Sequence, residues 1–288
     1  MNSVKKSVVL SPPAAGTNEP HVLSALATGA NRYAVSVLLG LGVILVWQAV
    51  TFFFSIQRWL LPSPWEVLRT LFSSRALIAR HTWVTAEEAL IGFVAAVAVG
   101  FVLAVVIANW RLAERALYPY VIASQAIPII AIAPVLVVWF GFGLLPKVIV
   151  IILITFFPVA VNTVDGLRNV DPEMMTLMRS LGASRWQIFR MVQLPSALPL
   201  FFSGAKIAAA VSVIGAILGE WVGATEGLGY LITRSSAQFL TARVFAAVLV
   251  LSLMGIALFY IVSCIERLAT PWVRRQGLAE RAAITNRR

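Results

Sequence analysis

Six long apolar runs dominate the pattern of this sequence, and polar or charged segments separate them. A helix needs about 20 apolar residues to cross the hydrocarbon core of a bilayer. The runs cover residues 33–57, 89–110, 118–140, 148–164, 200–222 and 244–265. The pattern predicts an all-α membrane protein with six transmembrane helices inside a domain over 33–268. An N-terminal tail over 1–32 and a basic tail over 269–288 are expected to flank it.

Prolines subdivide the longest uncharged stretch, residues 116–146, and continue into the next run. Pro128 and Pro134 lie in the third predicted span, and Pro158 lies in the fourth. A proline inside a spanning helix frees a carbonyl that only neighbouring helices or water can satisfy. We therefore expect these two helices to face protein or a pathway rather than lipid. The arginine-bearing segment 60–82, which contains Leu-Pro-Ser-Pro at 61–64, is predicted to be a loop with a surface helix.

Charge is sparse and unevenly distributed between the predicted loops. The chain is 60% hydrophobic and 12% charged, with a formal net charge of +11. Nucleic-acid binding is disfavoured because Lys and Arg punctuate apolar runs instead of clustering on one face. With both termini in the cytoplasm, fifteen basic residues fall inside and seven near the outer face. The positive-inside rule therefore predicts a multi-pass membrane protein with both termini in the cytoplasm.

The loop between the fourth and fifth runs, residues 165–198, carries signals of organised local structure. Asp171, followed by a proline and a glutamate, has the composition of a helix start, and this helix should stop at Gly182. Ser184 and Gln187 have the spacing of a capping box, so a second helix should begin there. We expect that helix to end before Pro195.

The second helix of this loop presents an aromatic surface with a basic rim. It places Trp186 and Phe189 beside Arg185 and Arg190. Aromatic and arginine side chains often dominate protein interfaces, which favours docking to a partner. An amphipathic helix lying on lipid headgroups has the same composition, so both interpretations stay open on composition alone.

Residues 179–199, RSLGASRWQIFRMVQLPSALP, resemble the EAA loop of binding-protein-dependent importer permeases. Gly182 and Pro195 match the fixed points of that motif. In the family this loop couples the permease to an ATPase subunit. The Glu-Ala-Ala positions are Thr176, Leu177 and Met178 here, so the acidic contact of the motif is absent. The resemblance implies that the coupling residues are Arg179, Leu181, Gly182, Ala183, Ser184, Arg185, Trp186, Phe189, Arg190 and Pro195.

The resemblance extends from about residue 61 to the end of the sixth run. Its further segments are LPSP at 61–64, QAIPIIAIAPVLVVWFGFG at 125–143, FPV at 157–159 and GEWVGATEGLGYLI at 219–232. These are similar to the nitrate, sulfonate and taurine branch. Within that branch, residues 215–224 and Ser236-Ala237-Gln238 look closest to permeases for pyrimidine precursors and riboflavin. The resemblance implies a type I, MetI-like ABC importer permease. It implies transport of a small polar or anionic solute of one of these kinds.

Glu220 is the one acid in the interior of a predicted span. Such a group needs a polar or cationic partner, and Lys206, fourteen residues earlier, is about 21 Å away along a helix. Glu220 either lines the translocation path or lies at the outer end of its span, capped by the loop 223–229. Further candidates for the path are Gln125, Trp139, Asn162 and Gln238, for which helix packing and the aromatic belt are the alternatives.

We expect this chain to lack an ATPase site and a metal site of its own. It contains no phosphate-binding Gly-x-x-x-x-Gly-Lys-Ser/Thr loop, and its histidines, His21 and His81, are isolated in predicted non-core segments. The single cysteine, Cys264, allows no intrachain disulfide. ATP and Mg²⁺ would bind a partner ATPase pair, and a substrate-binding protein and a second permease copy would complete the importer. An ion-coupled secondary transporter that works without an ATPase is the alternative.

Overall fold

The computed structural model describes the backbone of residues 21–272 and the side chains of residues 34, 35 and 37–272. Residues 1–20 and 273–288, which hold most of the two predicted tails, lie outside the described residues. The described chain contains helices and no β-strand. Its α-helices are α1 His21–Phe53, α2 Pro64–Ser73, α3 Arg75–Asn109, α4 Arg111–Ala123, α5 Ile129–Phe140, α6 Leu144–Arg168, α7 Pro172–Ser180, α8 Arg185–Ile188, α9 Leu194–Gly223, α10 Leu228–Ala237 and α11 Thr241–Ala269.

Helix α1 belongs to a separate N-terminal unit that ends at Ser55. Its apolar part within the described side chains is Val37–Phe53. The helix begins at His21, within the predicted tail over 1–32, and the boundary of that tail stays a prediction. The helical backbone continues without a break from His21 into the first apolar run.

Helix α6 lies between α3 and α9 at the centre of the second unit. Small residues allow these helices to approach closely. A Cβ on Gly100 would lie 2.8 Å from the carbonyl oxygen of Phe156, and one on Gly204 would overlap the carbonyl of Pro158. Ala96 and Ala160 are fully buried in the same layer. Because lipid tails are as apolar as the helices, this close packing stabilises the bundle.

Four described helices are long and apolar enough to cross a membrane. They are α3, α6, the continuous helix Arg185–Gly223 and α11. They cover the predicted spans 148–164, 200–222 and 244–265 in full and the predicted span 89–110 up to Asn109. The pair α4 and α5 counts as a fifth if it is one broken span, and the total of six stays a prediction.

The third predicted span, 118–140, is not one helix. Helix α4 ends at Ala123, a 3₁₀ turn covers Ser124–Ala126, and α5 starts at Ile129. The two arms are bent by 101°. Pro128 explains the break, because its ring lacks a donor and it disfavours a helical conformation at the preceding residue.

The arginine-bearing segment 60–82 is helical over most of its length. Helix α2 is the predicted surface helix, with Ser63 as its N-cap. Helix α3 then begins at Arg75, fourteen residues before the predicted start of the second span. The prediction failed here because Arg80 and Glu87 project from exposed positions of α3 while His81 and Glu88 are buried. The charged residues of this part of α3 predicted a loop, whereas the structure has a continuous helix.

Candidate functional site

The segment between α6 and α9 begins with the predicted helix. The side chain of Asp171 accepts a hydrogen bond from the backbone N–H of Glu173 at 2.8 Å and caps α7. The helix ends at Ser180, and Gly182 follows with a φ of +76°. That left-handed conformation suits a residue without a Cβ. The predicted helix and glycine break are therefore present.

Helix α8 starts with the predicted capping box. The backbone N–H of Gln187 donates to the Ser184 hydroxyl, and the backbone N–H of Ser184 donates to the Gln187 side-chain oxygen at 2.7 Å. The helix does not end before Pro195, so that prediction was wrong. A π turn over Phe189–Gln193 joins α8 to α9, and the N–H of Leu194 bonds the carbonyl of Phe189. The wider π turn accommodates the proline, whose ring would otherwise clash with a carbonyl one turn earlier.

The segment 172–193, which we call the α7–α8 segment, presents large apolar side chains to the outside. Leu181, Trp186 and Met191 are each about two-thirds exposed or more. Trp186 and Phe189 stack with ring centroids 5.6 Å apart. The exposed basic residues around them are Arg179, Arg185 and Arg190.

One side of α8 faces the end of α3. Ile188 is buried and anchors the turn to the bundle. A cavity of about 290 Å³ lies between α8 and the α3 end, lined by Val105, Asn109, Trp110, Arg185, Trp186 and Phe189. Ile188 thus holds α8 against the bundle, while the outer side of Trp186 remains exposed.

Glu220 lies at the opposite end of the bundle and is 1% exposed. Its carboxylate accepts hydrogen bonds from the Thr85 hydroxyl at 2.6 Å and from the backbone N–H groups of Gly229 and Tyr230. The backbone N–H of Leu228 donates to the Thr85 hydroxyl at 2.7 Å. Glu220 and Thr85 thus satisfy the free N–H groups that begin α10. The predicted capping by the loop 223–229 is what the structure contains.

Two further polar groups that the sequence analysis misjudged join this cluster. His81 was predicted to be isolated, but it is buried and its Nδ1 accepts a hydrogen bond from the backbone N–H of Gly227 at 3.0 Å. Glu88 lies just outside the predicted span, yet it is 4% exposed and pairs with Lys147 at 2.5 Å. Glu220 is therefore not the one acid inside a spanning helix. Lys206, its rejected partner, pairs instead with Glu266 of α11 at 2.7 Å.

The comparison with known families decides what this bundle is. The sequence profile of the family described as binding-protein-dependent transport system inner membrane component matches residues 96–275, more than half of the chain. The chain belongs to this family. It is the membrane-spanning permease subunit of an ABC-type importer, a multi-pass inner-membrane protein, and ATP hydrolysis belongs to a partner subunit. The predicted family, fold class and general function are confirmed.

Relatives of the permease confirm the branch that its motifs predict. The formylaminopyrimidine transport permease protein ThiX of Halalkalibacterium halodurans is 42% identical over 76% of this chain and 88% of that protein. The riboflavin transport system permease protein RibX of Chloroflexus aurantiacus is 38% identical over 81% and 90%. The taurine transport system permease protein TauC of Escherichia coli is 30% identical over 80% and 86%.

Solved structures share the fold of the permease. A chain of the MetNI methionine ABC transporter, in inward-facing conformations, matches with a TM-score of 0.50 and 24% identity, covering 67% of this chain and 98% of that one. A chain of an amino acid ABC transporter matches with a TM-score of 0.55 and 16% identity, covering 70% and 96%. The MetI-like architecture is therefore present.

The remaining candidates for the path of the permease lie on different elements of the described chain. Gln125 is exposed on the 3₁₀ turn, Trp139 is 72% exposed on α5, and Gln238 is exposed after α10. Asn162 donates to the carbonyl of Pro158 in its own helix at 2.7 Å. Among the described side chains, no hydrogen bond joins any two of these candidates or joins one to Glu220. Nor do residues 21–272 hold a group of three or more His, Cys, Asp and Glu able to bind a metal ion.

Proposed function

We propose that the α7–α8 segment docks into the partner ATPase and transmits its motion to the permease. The stacked pair of Trp186 and Phe189 carries this proposal, because it joins the exposed Trp186 of a short, capped helix to the half-buried Phe189 of the π turn. Arginines surround it, as at many interfaces that bind through a few anchors. The absence of the Glu-Ala-Ala acid at Thr176 shifts the expected contact from α7 to α8.

The short length of α8 and its continuity with α9 argue against the lipid-headgroup interpretation. An interfacial helix lies in the membrane plane with a long apolar face. Helix α8 is one turn long and continues through the π turn into α9, which is a spanning helix. Its backbone therefore continues directly into a spanning helix, and Trp186 near its start is exposed.

Both termini and the α7–α8 segment are proposed to lie in the cytoplasm. The positive-inside rule supports this orientation. The chain would pair with a second copy of itself, since one permease sequence and a central path need a twofold interface. A substrate-binding protein would deliver the solute at the opposite end, and ATP with Mg²⁺ would be bound by the ATPase pair. Gln125, Trp139, Asn162 and Gln238 remain the proposed lining of the path, whereas Glu220 is proposed to be structural.

A planar heteroaromatic solute is the proposed substrate class. The relatives named for formylaminopyrimidine and riboflavin are 42% and 38% identical to this chain, whereas the one named for taurine is 30% identical. The expected solute is thus a pyrimidine precursor or a flavin rather than a sulfonate. Thermal shift of the cognate binding protein with each of the three solutes tests this choice, and stabilisation by taurine alone contradicts it.

The docking proposal is tested with the double variant Trp186→Asp and Phe189→Asp. We expect loss of ATPase co-purification and at least a tenfold loss of ATP-driven uptake, because charge replaces the aromatic anchor. Leu112→Asp is the matched control, since Leu112 is 81% exposed on α4 but lies outside the segment. Retained ATPase binding in the double variant contradicts the proposal. Uptake that survives removal of the ATPase would favour the secondary transporter.

A further inference from the structure

Three charged side chains are buried together at the α10 end of the bundle. Glu88 is 4% exposed and Glu220 is 1% exposed, and the side chain of Lys147 is 11% exposed. They come from α3, α9 and α6, respectively. A buried charge without a partner costs several kcal/mol. The cluster is therefore expected to be close to neutral.

The charges of this cluster do not balance when both carboxyls are ionised. Two carboxylates and one ammonium leave a net charge of −1. The other ionisable groups nearby supply no buried cation: Glu87 is exposed, and Arg80 pairs with Glu226 at the exposed rim. His81 accepts a hydrogen bond at Nδ1, so its imidazole is neutral. Arg234 is exposed and bonds the Tyr230 hydroxyl.

One carboxylate oxygen of the cluster lacks a hydrogen-bond donor. Oε1 of Glu88 accepts from Lys147, but Oε2 is buried and no donor among the described residues reaches it. Glu220 is the neighbouring acid, because Gly219, the residue before it, packs against Lys147, which pairs with Glu88. A buried acceptor without a donor costs about 1–3 kcal/mol. A hydroxyl hydrogen on one carboxyl would bond the other and remove this cost.

We propose that Glu88 and Glu220 bind one exchangeable proton between them, which makes the cluster with Lys147 neutral. The proton stabilises more than the pair, because Glu220 also caps α10 through Gly229 and Tyr230. When the proton leaves, the cluster carries an uncompensated negative charge, and repulsion between the two carboxylates destabilises the packing of α3 against α9. This site is independent of the ATPase-docking surface at the other end of the bundle.

The test measures thermal unfolding of the assembled importer in nanodiscs from mildly acidic to alkaline pH. In the wild type we expect the midpoint to fall by roughly 5 °C across this range as the proton is lost. In Glu88→Gln the profile should be flat, because the amide supplies the donor and the cluster is neutral without a proton. Glu87→Gln, at the exposed neighbour, should follow the wild type.

Infrared spectroscopy provides a second measurement that does not depend on stability. The wild type and Glu87→Gln should show the C=O stretch of a protonated carboxylic acid, and both Glu88→Gln and Glu220→Gln should lack it. Parallel pH profiles for the wild type and Glu88→Gln would overturn the proposal, as would a wild type without the carboxylic band. Recovery of the alkaline midpoint by sodium ions, but not by potassium ions, would also overturn it in favour of a bound metal cation.

Discussion

The hydroxyl of Thr85 links three helices of this permease by hydrogen bonds. It donates to Glu220 at 2.6 Å and accepts from the backbone N–H of Leu228 at 2.7 Å, in a fully buried position. One side chain thereby joins α3 to both α9 and the start of α10. Thr82, one turn earlier on α3, only donates to the carbonyl of Ile78 in its own helix.

Thr85→Val is expected to destabilise the permease by roughly 2–5 kcal/mol. The substitution keeps the shape but leaves the Leu228 N–H and one Glu220 oxygen short of a partner, and each buried loss costs about 1–3 kcal/mol. Thr82→Val should change stability by less than about 0.5 kcal/mol. Unfolding midpoints of the two variants in detergent check this. Equal midpoints would show that the cluster does not attach α10.

Helix α8 depends on its cap because it is one turn long before the π turn. The Ser184 and Gln187 pair satisfies two backbone groups at its start, and a capping residue is worth about 1 kcal/mol. Ser184→Ala should therefore raise amide hydrogen exchange over residues 185–189 about fivefold in the isolated permease. Ser180→Ala removes only a bond to the Thr176 carbonyl within α7 and should leave this exchange unchanged. No increase in Ser184→Ala would mean that the continuation into α9 alone maintains α8.

The elements that the sequence predicts well are those whose causes are local. Asp171 and Ser184 lie within three residues of the groups they cap, so spacing alone identifies them. Spanning helices follow from runs of apolar residues. The π turn has no such signal, because Pro195 is compatible with both a helix end and a widened turn. The 101° break was signalled by Pro128 but was assigned to a single helix.

The buried cluster escaped prediction because its partners are distant in sequence. Thr85 and Glu220 are 135 positions apart, and Lys147 and Glu88 are 59 positions apart. A single sequence contains no rule that pairs such residues. The available hint was the spacing of His81, Thr85 and Glu88, which places all three on one face of a helix. That signal is visible only once α3 is known to start at Arg75.

For the whole molecule, the two ends of the bundle should differ in accessibility. In a Cys264→Ala background, we expect Ser73→Cys to react with a membrane-impermeant maleimide in spheroplasts. Ser180→Cys should react only after lysis, because the α7–α8 segment is proposed to be cytoplasmic. Both serines are exposed at helix ends, so each serves as the control for the other. Labelling of Ser180→Cys in intact spheroplasts would invert the topology and remove the ATPase-docking surface from its partner.

The π turn joins α8 and α9 into one helical segment, whereas a flexible linker would leave them as two separate helices. Residues Arg185–Gly223 form 39 consecutive helical positions, or about 58 Å at 1.5 Å per residue. Trp186 is at one tip of this rod, and Glu220 is near the other. No loop separates these two ends, so a displacement imposed at Trp186 is passed along the helical backbone toward Glu220. A force applied to this segment on one side of the bilayer is thus transmitted to the other side through one continuous helical segment.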